Sequence, residues 1–190
     1  MSLSVCGIDL AVRKERCTGY ALIMIRNDYE AELARLDCLH GVEEVIREVI
    51  RDRVSVAAVD APISGGGRVR EVEREMWRKG FKVLPPSMPW MRELTKLGEA
   101  LASDLRRLGV EVLETHPSSA LRSSGVGSVP ELLSVLGVDF PKEYLARIAS
   151  SRDLRDAVIA AAVAYCYVTG CVERVEADND VIYIIKKLSP

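Results

Sequence analysis

The stretch Ser4-Val5-Cys6-Gly7-Ile8-Asp9-Leu10-Ala11 decides how this chain is read. A short apolar run with β-branched residues, closed by the charged cluster Arg13-Lys14-Glu15-Arg16, predicts a strand covered on both faces. A single carboxylate lies inside it. Aspartate is disfavoured in strands, and an ionised group held away from water is costly unless it is paired or bound to a metal. Asp9 therefore needs a reason to be there.

Two later stretches supply one. Val56-Ala57-Ala58-Val59-Asp60-Ala61-Pro62 is a second apolar strand, and it delivers an aspartate at its end. Arg152-Asp153-Leu154-Arg155-Asp156-Ala157 opens a strongly apolar helix with two carboxylates at i and i+3. That spacing places both on one helix face near the N-terminus, where the dipole favours negative charge. Three acidic positions, each at the polar edge of a buried element, predict a divalent-cation site. Hard oxygen ligands select Mg²⁺ or Mn²⁺ over zinc.

The rest of the chain builds the frame between these acids. Thr18–Ile25 and Glu30–Leu39 predict two further strands, making an antiparallel meander with the first. Val42, Val45, Ile46, Val49 and Ile50 recur at helical spacing and predict a helix over 42–53, which crosses to a parallel strand over 54–60. Gly65-Gly66-Gly67 reads as a hinge into a helix from Arg68 to about Lys79, with Arg70, Arg74 and Arg78 as a solvated face interleaved with Glu71 and Glu75. Pro85-Pro86-Ser87-Met88-Pro89-Trp90 reads as a rigid link, followed by a helix over 91–108 with Gly109 as its cap. Residues 110–114 predict another buried strand, ending in Glu114-Thr115-His116-Pro117. Residues 118–150 read as an irregular insertion with short helices over 130–136 and 141–148. A long helix over 152–169 and a terminal edge strand over 181–186 complete the chain, which is expected to form one domain over 1–190.

Composition narrows the partners. The net charge of −2 excludes a global positive field, so any nucleic acid must be bound through a local patch. The five cysteines contain no C-x-x-C pair and sit in apolar contexts, as small hydrophobes of a reduced, cytoplasmic protein. The longest apolar run, 157–168, is too short to span a bilayer, and the N-terminus lacks a signal-peptide pattern. Trp77 and Trp90 are expected in the core rather than as base-stacking platforms.

If the fourth strand lies beside the first, the chain reverses there, and ligands favour the carboxyl ends of strands at such a point. Asp9 and Asp60 would then face each other, and two ions about 3.5–4 Å apart would activate water and stabilise the leaving oxygen of a phosphodiester. Asp60 before Ala-Pro also suits a turn, and Asp153 a helix cap. Glu114 is a fourth metal ligand or an arginine's partner. Arg68, beside the glycines and Asp60, is a candidate phosphate contact. His116 is a candidate for orienting water or touching phosphate.

Ile8-Asp9, Val59-Asp60 and Asp153-x-x-Asp156-Ala157 resemble the acidic set of ribonuclease H-like nucleases, and the last motif is similar to that of Holliday-junction resolvases. Together with Gly7-Ile8-Asp9-Leu10-Ala11, Val59-Asp60-Ala61-Pro62 and Glu114-Thr115-His116-Pro117, in this order, they resemble domain of unknown function 429, described as predicted nucleases of that fold. The resemblance covers nearly the whole chain. It implies an α/β, ribonuclease H-like mixed five-stranded sheet, three antiparallel strands and then parallel ones, with helices on both faces. It also implies a metal-dependent nuclease in which Asp9, Asp60 and Asp156 are catalytic and hold Mg²⁺ or Mn²⁺. Asp153 and Glu114 are then further metal ligands, Arg68 and His116 touch substrate, and the partner is nucleic acid. Two rivals stand beside it: a non-catalytic binding module of the same fold, and a phosphotransferase or ATPase of the same superfold, for which no nucleotide-phosphate loop is found.

Overall fold

In a computed structural model, residues 2–26 and 30–188 are described. The first three strands, β1 (Leu3–Asp9), β2 (Thr18–Ile25) and β3 (Ala31–Leu39), form the expected antiparallel meander. Helix α1 (Val42–Arg51) crosses to β4 (Val54–Asp60), which pairs parallel with β1. The 65–67 stretch is an ordered 3₁₀ turn rather than a hinge. All three of its glycines have positive φ, and Glu99 accepts a hydrogen bond from the Gly66 amide. Helix α2 (Glu71–Arg78) then leads to α3 (Pro89–Arg107) and to β5 (Glu111–Glu114), parallel to β4.

Three short helices follow: α4 (Pro117–Ser124), α5 (Val129–Leu136) and α6 (Glu143–Ser150). Between the last two, β6 (Val138–Asp139) adds a two-residue parallel strand beside β3. Among the described residues the main sheet thus has six strands, in the order β5-β4-β1-β2-β3-β6, one more than the sequence predicts. A two-residue strand carries no periodicity to read. Helix α7 (Arg152–Thr169) ends at Gly170, and a hairpin of β7 (Val172–Ala177) and β8 (Asp180–Ile185) closes the described chain.

Side-chain alternation along the central strands sorts two cores. Val5, Ala21, Val56 and Ala58 join the cluster under α7, whereas Cys6, Ile8, Tyr20, Leu22, Ala57 and Val59 join the cluster facing α1 and α3. The α7 face is built for close approach. A methyl group on Gly7 would overlap the Ala157 carbonyl and the Ala161 amide, and one on Gly19 would overlap the Asp153 carbonyl. Opposite these glycines α7 presents Ala157, Ala160 and Ala161, all fully buried. Small residues on both sides let the helix backbone rest on β1 and β2.

Several expectations are corrected. Pro89 and Trp90 are not link but the first turn of α3, since a proline at the first helical position loses no hydrogen bond. Residues 117–124 are helical, again with proline leading, where irregular chain was expected. The C-terminal strand does not edge the main sheet. It pairs with β7, whose single buried residue, Val175, left little apolar signal, and it lies beside the end of β5, where Thr115 bridges to Tyr183. Trp77 and Trp90 are 39% and 48% exposed rather than in the core. Four cysteines are not free. Cys17–Cys38 and Cys166–Cys171 form disulfides, their Cα atoms 5.1 and 4.5 Å apart, and Cys6 alone is a buried thiol. Among the described residues no helix is long and apolar enough to cross a membrane.

Candidate metal centre

Strand alternation and helix placement together bring the acids to one point. Counting by twos from Val5 through Gly7 puts Asp9 on the α7 face, and counting from Val56 through Ala58 does the same for Asp60. The parallel register of β1 and β4 pairs Asp9 directly with Asp60 at the carboxyl ends of the two strands. Helix α7 begins above them. Ser151 caps it, accepting from the Leu154 amide at 3.3 Å, so Asp153 is not the cap. Asp156, one turn in and 5% exposed, points its carboxylate at the strand pair. One oxygen from each of Asp9, Asp60 and Asp156 lies within 4.8 Å of the others.

Without a cation this arrangement is electrostatically strained. Burial raises the Asp9 carboxyl far above the ordinary carboxylate range, and the charges of Asp60, Asp156 and Asp153 add to the rise. Burial also raises Asp60, with Asp156 and Glu114 contributing. The cationic relief comes from arginines on α7. Arg152 Nε donates to Asp156 Oδ2 at 3.2 Å, and Arg155 donates to Oδ1 through Nε and Nη2, each at 3.0 Å. Their side chains are 78% and 45% exposed, and ion pairs that open to solvent are held weakly. A triad of oxygen donors in which burial and neighbouring charge favour the protonated forms of Asp9 and Asp60 fits a small, hard dication, which would take the place of those protons.

The other predicted site residues are distributed unevenly. Asp153 and His116 line the same cleft as the triad, with Asp153 outside the group of mutually close oxygens. Burial lowers the His116 pKa, so the ring is neutral near pH 7, and its Nδ1 lies 2.7 Å from Ser119 Oγ and 3.3 Å from Ser118 Oγ. Glu114 lines the cleft too, but of its two readings the structure shows the arginine partner. Alternation turns Leu113, not Glu114, to the α7 face. The Glu114 carboxylate accepts from Arg70 through both guanidinium ends and from the Ile63 amide at 3.0 Å. Arg68 is exposed and does not line the cleft.

Sequence reasoning missed three contributors. Arg70 was placed on a solvated stripe, yet it is 7% exposed and held by Glu73, Glu114 and Ser64, while Arg74 and Arg78 do sit exposed on Glu71 and Glu75. The legible signal was Glu73 three residues on, which also accepts from the Arg70 backbone amide at 2.6 Å and starts α2. Arg16 and Arg152 are the arginines that line the cleft. The i, i+4 spacing of Arg152 to Asp156 could have revealed the second.

Two solved structures share this architecture. One is the Thermus thermophilus RuvC in complex with a Holliday-junction substrate, 14% identical, with a TM-score of 0.53 over 88% of this chain and 97% of that one. The fold is RuvC-like. The other is the yeast mitochondrial Holliday-junction resolvase Ydc2, 16% identical, with a TM-score of 0.50 over 83% of this chain and 75% of that one. No protein-family model matches the chain, and no curated protein matches it. At such identities the likeness concerns the fold, a mixed sheet with helices on both faces. What the RuvC-like frame contributes here is position, because it sets the carboxyl ends of β1 and β4 under the first turns of α7.

Proposed function

We propose that this protein is a metal-dependent nuclease, a phosphodiester hydrolase acting on nucleic acid, and that its motifs place it with domain of unknown function 429. The observation that carries the proposal is the meeting of Asp9, Asp60 and Asp156 from three separate elements within one 4.8 Å group. The RuvC-like fold supports it, since the two resolvases with this architecture act on DNA junctions. Asp9, Asp60 and Asp156 hold Mg²⁺ or Mn²⁺, and Asp153 adds negative field beside Asp9. When bound, the ion supplies Lewis-acid polarisation of a phosphodiester and lowers the pKa of the hydrolytic water.

The chain's own residues do the rest. Arg152 is exposed enough to leave Asp156 and turn to a phosphate oxygen, and Arg16 reaches the same cleft from the β1–β2 turn. His116, neutral and anchored through Nδ1, orients a water or a phosphate oxygen by hydrogen bonding. Glu114 keeps Arg70 in place under the cleft floor instead of binding metal. The same reading treats residues 1–190 as one domain with 118–150 inserted between β5 and α7. Incubating labelled single-stranded, duplex and four-way-junction DNA with Mg²⁺ or Mn²⁺ tests it. Cleavage by the parent protein that disappears in Asp60→Asn is the expected result. A parent that cuts none of these substrates, or a variant that cuts as well, refutes it.

A further inference from the structure

One wall of the cleft has no part in the acid chemistry. Leu84, Trp90, Met91 and Leu94 line the same opening of about 540 Å³ as the three aspartates, enough for a nucleotide-sized group. Leu84 is 50% exposed and Trp90 48%, so these two side chains face solvent, while Met91 is buried. It is also firmly held. Trp90 is the second residue of α3, behind a proline. The segment that brings Leu84 is fastened to α2 by the Trp77 indole, whose Nε1 donates to the Val83 carbonyl at 3.0 Å.

The charges lining the cleft say what kind of nucleic acid suits it. Six carboxylates line it against two arginines, although Arg70 pairs two of them, Glu73 and Glu114, and Asp156 engages one of the arginines. Duplex binding draws on many phosphate contacts by lysine and arginine, which this cleft does not offer. Affinity must come from elsewhere, and stacking of a base on an aromatic ring is available without positive charge. A base inside a duplex has both faces covered by its neighbours, so only an unpaired nucleotide can use that ring.

We propose that the cleft takes a nucleic-acid strand at an unpaired nucleotide, the Trp90 indole stacking on the base beside the phosphodiester that the three aspartates face. Leu84, exposed in the same cleft, adds apolar surface to that of the ring. The inference rests on the nuclease reading for the phosphodiester, and on the placement of Trp90 for the base. The chemistry recognised is a nucleobase joined to phosphate, and a strand rather than a free nucleotide is the source assigned here.

Fluorescence anisotropy with a 5′-labelled dT12 strand and a 12-base-pair duplex, both in Ca²⁺ to limit turnover, tests the proposal. The single strand is expected to bind at least about tenfold more tightly than the duplex, Trp90→Ala to lose roughly 5- to 100-fold in affinity for it, and Trp90→Phe to stay within about threefold. Because Trp90 is half exposed, an unchanged melting temperature is expected and separates lost stacking from lost folding. Binding by Trp90→Ala equal to the parent's, or a preference for the duplex, overturns the proposal. If thymidine 5′-monophosphate displaces the labelled strand at the concentration at which unlabelled dT12 does, the strand assignment is overturned in favour of a free nucleotide. Cleavage of the same strand in Mn²⁺ is read separately. A stacking loss in Trp90→Ala with no cleavage by the parent sinks only the catalytic reading, and cleavage with no effect at Trp90 sinks only this one.

Discussion

Replacing Asp60 with asparagine should stabilise the metal-free protein, and the size of the effect follows from the burial of this carboxyl beside other acids. An ordinary aspartate has a pKa near 3.8, and burial with neighbouring charge pushes Asp60 up to about 8 in the folded chain. A folded state that keeps a proton the unfolded chain gives up loses stability as pH rises between those two values. At pH 7 the full cost of holding one such proton is bounded at about 4 kcal/mol, from about 1.4 kcal/mol per pKa unit. The cleft is open to water and ions, which reduces this to about 1–2 kcal/mol. For a chain of this length that is a rise in melting temperature of about 2–8 °C.

The sign can be followed across pH by calorimetry in EDTA. Below about pH 3 parent and Asp60→Asn melt together, because the carboxyl is then protonated in both folded and unfolded chains. The gap widens as pH rises and levels off above about pH 8. Millimolar Mg²⁺ should then reverse the order, since it stabilises the parent by binding and does little for the variant. A variant that melts with the parent at every pH, or below it at pH 7, refutes the reasoning that these acids crowd one another.

Three other outcomes are expected. Gly7→Ala drives a methyl into the backbone of α7, so it should lower the melting temperature by at least about 6 °C and weaken Mn²⁺ binding in calorimetry, because α7 cannot move off β1 without taking Asp156 with it. Arg70→Ala strands the buried carboxylates of Glu73 and Glu114, a loss of about 3–5 kcal/mol in urea unfolding, whereas Arg74→Ala on the exposed side of the same helix should change stability by less than about 0.5 kcal/mol. Titration of thiols in the denatured, unreduced chain should find one per molecule, from Cys6, and five after reduction, with the 21-residue separation of Cys17 and Cys38 contributing about 3 kcal/mol to stability. Five thiols before reduction would remove the disulfides from the picture.

The sequence by itself determined the elements that are buried on both sides and the acids they carry. β1, β4 and α7 are continuous apolar runs, so their burial was legible, and an aspartate in such a run is anomalous enough to mark Asp9, Asp60 and Asp156 before any coordinates. Local pattern also distinguished the long helices and strands, but it left β7, β6 and the proline-led helical turns at 89 and 117 unread. Tertiary structure alone decided the pairings. Arg70 and Glu114 are 44 residues apart, and no periodicity says that a guanidinium from one exposed-looking stripe will turn inward to meet a strand-end carboxylate. The same holds for Trp90, whose composition says core and whose place in the first turn of α3 says cleft. The physical reason is that burial is encoded by neighbours three and four residues away, whereas the partner of a charge is chosen by desolvation. That cost is set only when distant segments close around it.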